Sequence, residues 1–192
     1  HMFAKKNSKM KRLMTLATLL ALIVPALVTA SVVVDYQINY NANNVNPNVF
    51  LAEGPNYAAA NGQSLIYVKS ASIATISGYS AIENNAQLLF NSTDYTSYTI
   101  LLNVLELVST TSSTTTVWIN GTLPSGVSLY ISTTQETYSG SALSATSTGT
   151  SSAYTLGNPI SLSGNSVDYI TFYITGQVTA ATGTLTVQYL VQ

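Results

Sequence analysis

The chain is 192 residues long, has no cysteine, and carries a formal net charge of −1 with only 7% charged residues. A chain without cysteine builds neither a disulfide framework nor a thiolate metal site. Five of its six basic residues (Lys5, Lys6, Lys9, Lys11 and Arg12) fall in the first twelve positions, which leaves no basic surface for nucleic acid or an anionic membrane.

His1-Met2 reads as a cloning scar, so His1 is given no role, and translation starts at Met2 or Met10. The basic head runs into an apolar stretch, Leu13–Leu27, and then Val28-Thr29-Ala30. This is the pattern of a secretory signal peptide with small residues before the cut, and it assigns residues 1–30 to scar and signal. The alternative is a retained anchor of 18 residues, the lower end for a membrane span, interrupted by Pro25. A type IV pilin signal needs Gly or Ala after the basic residue, whereas Leu13 follows Arg12. Cleavage leaves 162 residues, Ser31–Gln192, with Lys69 alone against seven acids and a formal charge of −6. Eight charges in 162 residues is far below the roughly 25% of ordinary soluble domains. Such a surface is covered by Ser, Thr, Asn and Gln, by glycans, or by other protein.

Period-2 alternation in β-branched and aromatic residues predicts strands throughout, with no capped amphipathic helix after Ala30. In the first strand, Ser31–Tyr40, Val34, Tyr36, Ile38 and Tyr40 share one face and Val33, Asp35, Gln37 and Asn39 the other. Asn41–Pro47 is a polar linker, and Pro47 forbids strand continuation. An irregular stretch with Gly54-Pro55 and Asn61-Gly62 follows. Further strands are expected at Leu65–Ile76 and Ala86–Phe90, and Tyr95–Val108 is either one bent strand or two. After Val117-Trp118-Ile119, Asn120-Gly121 signals a type I′ hairpin, and Leu123-Pro124-Ser125-Gly126 a second turn before Val127–Ile131. Ser139–Ser152, with nine Ser or Thr in fourteen residues, reads as a loop open to O-glycosylation. Ile160–Leu162, Val167–Ile174 and Leu185–Val191 complete the strands, with turns at Gly164-Asn165 and Ala180–Gly183. Eight to ten short strands predict an all-β sandwich, Ig-like or jelly-roll, over residues 48–192, preceded by strand and linker over 31–47.

The body has no His or Cys, so Ser-His-Asp and Cys-His catalysis are excluded. Seven unclustered acids give glycoside hydrolysis no paired carboxylates, and the chain is not expected to be an enzyme or to hold a cofactor. Calcium through Asp35, Glu53, Asp94 or Asp168 lacks the alternating Asp loop that would favour it. Two sequons, Asn91-Ser92-Thr93 and Asn120-Gly121-Thr122, are N-glycosylation candidates, although an Asn/Ser/Thr-rich chain produces them by chance. Lys69 is either an edge-strand lysine that discourages wrong pairing or half of a Lys–Asn isopeptide crosslink. Thirteen tyrosines, all in the body, serve packing or carbohydrate stacking.

A strong strand at the new N-terminus, on a polar tether, can leave its own sheet and complete that of a neighbouring copy. Repeated head to tail, the contact does not close and gives a filament. Four buried apolar side chains would contribute about 6–12 kcal/mol. The donor residues are Val32, Val34, Tyr36, Ile38 and Tyr40, and the walls of the acceptor groove are assigned to Val167–Ile174 and Leu185–Val191.

The signal peptide, the immediate Ser-Val-Val-Val-Asp-Tyr-Gln-Ile-Asn-Tyr strand, Leu123-Pro124-Ser125-Gly126-Val127 followed by Ser-Leu-Tyr-Ile, and the final Ala-Thr-Gly-Thr-Leu-Thr-Val-Gln-Tyr resemble archaeal bundling-pilus subunits, relatives of the bacterial biofilm fibre protein TasA. The resemblance implies an extracellular, cell-surface filament built by donor-strand complementation. Its partners would be neighbouring copies and, laterally, other filaments, with no nucleic acid and membrane contact only during secretion. The alternatives are a monomeric secreted adhesin or surface-layer module, and a secreted enzyme acting through carboxylates.

Overall fold

The computed structural model describes residues 32–35, 47–69, 74–92, 98–136 and 151–191. Val33–Val191 form one compact unit; the other, His1–Val32 with Gln192, lies outside the described residues except for Val32. The described elements run in the order β1 (Val32–Asp35), β2 (Val49–Glu53), α1 (Tyr57–Gly62), β3 (Ile66–Lys69), β4 (Ala74–Ile76), β5 (Tyr79–Ile82), β6 (Gln87–Ser92), β7 (Tyr98–Ser109), β8 (Thr115–Thr122), β9 (Val127–Ser132), β10 (Ser152–Tyr154), β11 (Pro159–Leu162), β12 (Val167–Thr175) and β13 (Val178–Val191).

These strands form two antiparallel sheets in a sandwich. One has the order β11-β8-β13-β6-β3, with β1 also paired to β13; the other has the order β10-β9-β12-β7-β2-β5-β4. Alternation decides which side chains meet between them. Leu88 and Phe90 on β6, Val117 and Ile119 on β8, and Leu185 and Val187 on β13 are buried from one sheet. Leu129, Ile170, Phe172 and Leu107 are buried from the other. Phe90 and Phe172 join the layers edge to face, with ring centroids 4.9 Å apart at 75°. Such a pair adds about 0.5–1.5 kcal/mol beyond its buried area.

The apolar run over 98–109 is one strand, bent by a bulge. Pairing with β12 passes from Leu105 opposite Ile170 to Leu101 opposite Phe172, so Leu102, Asn103 and Val104 face the single residue Thr171. Asn103 takes φ +47 there and is fully buried. Its N–H donates to Thr171 Oγ1 at 3.0 Å, and the Thr171 hydroxyl donates to Asn103 Oδ1 at 3.3 Å. Gly54 donates to Val104 O at 2.9 Å; a Cβ at Gly54 would lie 2.3 Å from Asn103 O, so only glycine allows that approach. Asn56 Nδ2 donates to Leu102 O (2.9 Å) and Glu136 O (3.1 Å), and Asn103 Nδ2 also donates to Glu136 O.

Several local expectations are corrected. Leu65–Ile76 is not one strand: β3 and β4 belong to different sheets. Asn120-Gly121 is not a hairpin, because β8 pairs straight through it, Asn120 with Thr186 and Gly121 with Leu185. Gly121 takes φ +135, and a Cβ there would lie 2.0 Å from Thr184 O, so its glycine serves close strand approach instead of a turn. Ala180–Gly183 is likewise inside β13, where the register shifts between Val178 and Ala181. A six-residue helix, α1, occupies the stretch expected to be irregular, and β2, β5 and β10 are strands that sequence patterning did not single out. The Leu123–Gly126 turn is present, with Val127 N donating to Pro124 O at 3.0 Å.

Candidate functional site: the edges of the first sheet and its C-terminal strand

A subunit that accepts a strand needs an edge with free backbone groups, and most edges here are closed. On β3, Lys69 is exposed, and the outward N–H of Val68 donates to the Tyr57 hydroxyl at 2.9 Å. Burial pushes the Tyr57 hydroxyl pKa up, partly offset by that bond. On β8, Ile119 N–H donates to Tyr154 Oη at 3.0 Å, and Gly157 N–H donates to Ile119 O at 2.8 Å. Tyr154 sits on β10, in the opposite sheet, so one side chain both closes an edge and ties the layers. The β11 edge opens with Pro159, which has no N–H to offer, while β4 and β10 are three residues each.

The long strand β13 differs, because β1 pairs with it within the single chain. Of the expected donor residues, Val32 and Val34 lie in β1, and Tyr36, Ile38 and Tyr40 lie outside the described residues. Pairing of β13 with β6 ends at Thr184 opposite Gln87, after which Asn85 N donates to Leu185 O at 3.0 Å. The Asn84 carboxamide then takes both backbone groups of Val187: Oδ1 accepts from its N–H at 2.9 Å and Nδ2 donates to its O at 3.1 Å. The other expected groove strand, β12, has β7 on one side and β9 on the other. It has no edge to offer and contributes only side chains such as Phe172.

Over β8 and β13 the outer face of the first sheet carries uncharged polar side chains. Thr122 and Thr184 hydroxyls lie 3.2 Å apart, Asn120 Nδ2 donates to Gln188 Oε1 at 2.7 Å, and the Thr186 hydroxyl donates to Asn85 Oδ1. Asn120, one sequon residue, thus has its attachment nitrogen engaged across the sheet. Asn91, the other, is half-buried on β6, next to a fully buried Ser92 whose hydroxyl lies 2.7 Å from that of Thr99. Tyrosines line the outer face of the second sheet: Tyr98 and Tyr173 stack at 5.4 Å, with Tyr130 at 6.2 Å from Tyr173.

The acids do not converge. Among the described residues no group of three could hold a metal ion. Burial raises the pKa values of Glu53 and Glu106, and holds the carboxyl of Asp168 at about 6. Asp168 shares the inward phase of β12 with Ile170 and Phe172 and is 6% exposed. Of the calcium candidates, Asp35 lies in β1, and Asp94 lies outside the described residues. Lys69 stands opposite Gln87 at the end of β3. Its exposure suits an edge-strand lysine better than a crosslink, which forms against a buried carboxyl. Sequence reading passed over Asn84, Tyr57 and Tyr154; the Asn84-Asn85 pair before an apolar strand was the only local signal for the first.

No protein-family model matches this chain, and no curated protein is similar to it in sequence.

Proposed function

We propose that this protein is a structural subunit of an extracellular filament, a bundling pilus or biofilm fibre, which polymerises head to tail by donor-strand complementation. The carrying observation is that the first strand of the body, β1, pairs with its last, β13, in a sheet whose other edges are blunted by Tyr57, Tyr154, Lys69 and Pro159. A strand separated in sequence from the rest of the body by the Asn-rich 41–47 stretch is one that a neighbouring copy can supply instead. The signal peptide, a jelly-roll form of the sandwich, a cell-surface location and a non-enzymatic role belong to the same reading. So does the near-absence of charge, which lets protein surfaces approach without like-charge repulsion.

The second reading is a monomeric secreted adhesin or surface-layer module. It is favoured by the pairing of β1 with β13 inside one chain.

Electron microscopy of the mature protein, with its N-terminus sequenced from the same sample, separates the two. Filaments whose subunits start near Ser31 support the polymer. Monodisperse particles with that N-terminus across pH and temperature reject it. Deletion of 31–40 gives a second reading: a filament subunit stays soluble and stops polymerising, whereas a monomeric module loses core stability.

A further inference from the structure

The chain has one tryptophan, and the fold sets it on the outer face of the first sheet. Val117 and Ile119 point inward and are fully buried, so Trp118 between them points outward, where it is partly exposed. It stands between Pro159 of β11 and Gln188 of β13. Its indole N–H has no acceptor among the described residues and is open to solvent, since Ser151 Oγ is the one buried side-chain polar atom there that lacks a partner.

From Trp118 a strip of polar side chains runs along β8 and β13. Asn120 faces Thr186, and Thr122 faces Thr184. Steps of two residues from Trp118 to Thr122 make the strip about 13 Å long, with its two rows about 4.8 Å apart. The 2.7 Å bond from Asn120 Nδ2 to Gln188 Oε1 fixes both carboxamides. It leaves Asn120 Oδ1 as an acceptor and Gln188 Nε2 as a donor, beside the Thr122 and Thr184 hydroxyls. None of β8, β11 and β13 contains a charged residue.

We propose that this face is a binding platform for an uncharged polysaccharide, with Trp118 as its stacking residue and Asn120, Thr122, Thr184 and Gln188 as its hydrogen-bonding residues. A pyranose ring has an apolar face of C–H groups, which an aromatic ring covers, and a rim of hydroxyls that each donate and accept. The unused Asn120 acceptor and Gln188 donor, held side by side, pair with two such hydroxyls. An anionic glycan would call for Arg or Lys, which these strands lack. A protein partner would bury the amides and hydroxyls, and each one left without a partner would cost affinity. A sugar chain is hydroxylated along its whole length and satisfies them, and a flat sheet suits an extended polymer. Asn120 and Thr122 thus read a sugar instead of carrying one as a sequon. The inference holds for a filament subunit and for a monomer alike.

Because Trp118 is the only tryptophan, its selectively excited fluorescence in the full chain reports on this site alone. The protein is titrated with cellohexaose, xylohexaose and mannohexaose, and run on native gels that contain β-glucan, xylan, mannan or the anionic alginate. We expect at least one uncharged glycan to change the Trp118 emission saturably and to retard the protein, with no retardation by alginate. Trp118→Ala should weaken that binding about ten-fold. Gln188→Ala should weaken it several-fold, and carries the test if Trp118→Ala does not fold. Tyr173→Ala, on the second sheet, should leave it unchanged. No response to any uncharged glycan, retardation that survives in the folded Trp118 and Gln188 variants, or loss in Tyr173→Ala alone overturns the site. Equal retardation by alginate overturns the selectivity for an uncharged chain. Emission that changes with protein concentration and not with glycan puts a second copy on this face, and overturns the proposal as well.

Discussion

The Tyr57 hydroxyl lies 2.9 Å from the amide nitrogen of Val68 and accepts its hydrogen, so a helix side chain satisfies the outer edge of β3. The bond is buried, and removal of the acceptor strands a backbone donor. Tyr57→Phe is expected to cost about 1–3 kcal/mol, and to lower Tm by about 3–8 °C. Thermal unfolding of the variant beside the parent protein checks this. An unchanged Tm would mean that water replaces the hydroxyl at this edge.

The Asn103–Thr171 pair makes a second prediction. Both residues are fully buried, and Thr171 both accepts from the Asn103 backbone and donates to its side chain. Thr171→Val keeps the shape and leaves two buried groups unpaired, at a cost of about 2–4 kcal/mol. Thr122→Val, on the exposed outer ladder, should stay within about 0.5 kcal/mol. Urea denaturation of the two variants side by side tests the contrast.

Gly121→Ala should be among the most damaging single changes. It combines a φ of +135 with a Cβ placed 2.0 Å from Thr184 O in the central strand pair. The expected loss exceeds about 3 kcal/mol, read as insoluble or unfolded protein. Gly62→Ala, with open space around the added Cβ, is its control.

Asp168 makes stability depend on pH in an unusual direction. Burial disfavours the charge and pushes its carboxyl up to about 6 in the folded chain, against 3.8 for an exposed aspartate. Folded Asp168 therefore holds its proton over a range in which the unfolded chain has lost it. Stability falls as pH rises from about 4 to about 6, by roughly 1–3 kcal/mol. The raised pKa values of Glu53 and Glu106 act in the same sense. Asp168→Asn should flatten the profile and stabilise the protein at pH 7. Chemical denaturation at pH 4, 5, 6 and 7 measures both, and a stability that rises with pH would refute the assignment.

Composition and period-2 patterning carried the class of the fold. Val127/Leu129 and Leu185/Val187/Tyr189 alternate with polar residues, and alternation of that kind survives only where one face of a strand is buried. The same patterning misread Asn120-Gly121, because a local turn preference is weaker than the pairing of eight residues of β8 with β13 and β11. It misread 65–76 because two apolar runs close in sequence look continuous whichever sheet each joins.

The sequence by itself determined that this is a β-rich, cysteine-free chain, poor in charge, since those follow from residue type and spacing. Only the tertiary structure decided which backbone edges are closed. The edge of β3 is closed by Tyr57, 11 positions from Val68; that of β8 by Tyr154, 35 from Ile119; and Val187 by Asn84, 103 positions away. A hydrogen-bond partner at such separation is set by how the two sheets pack, and no local pattern of residues encodes it.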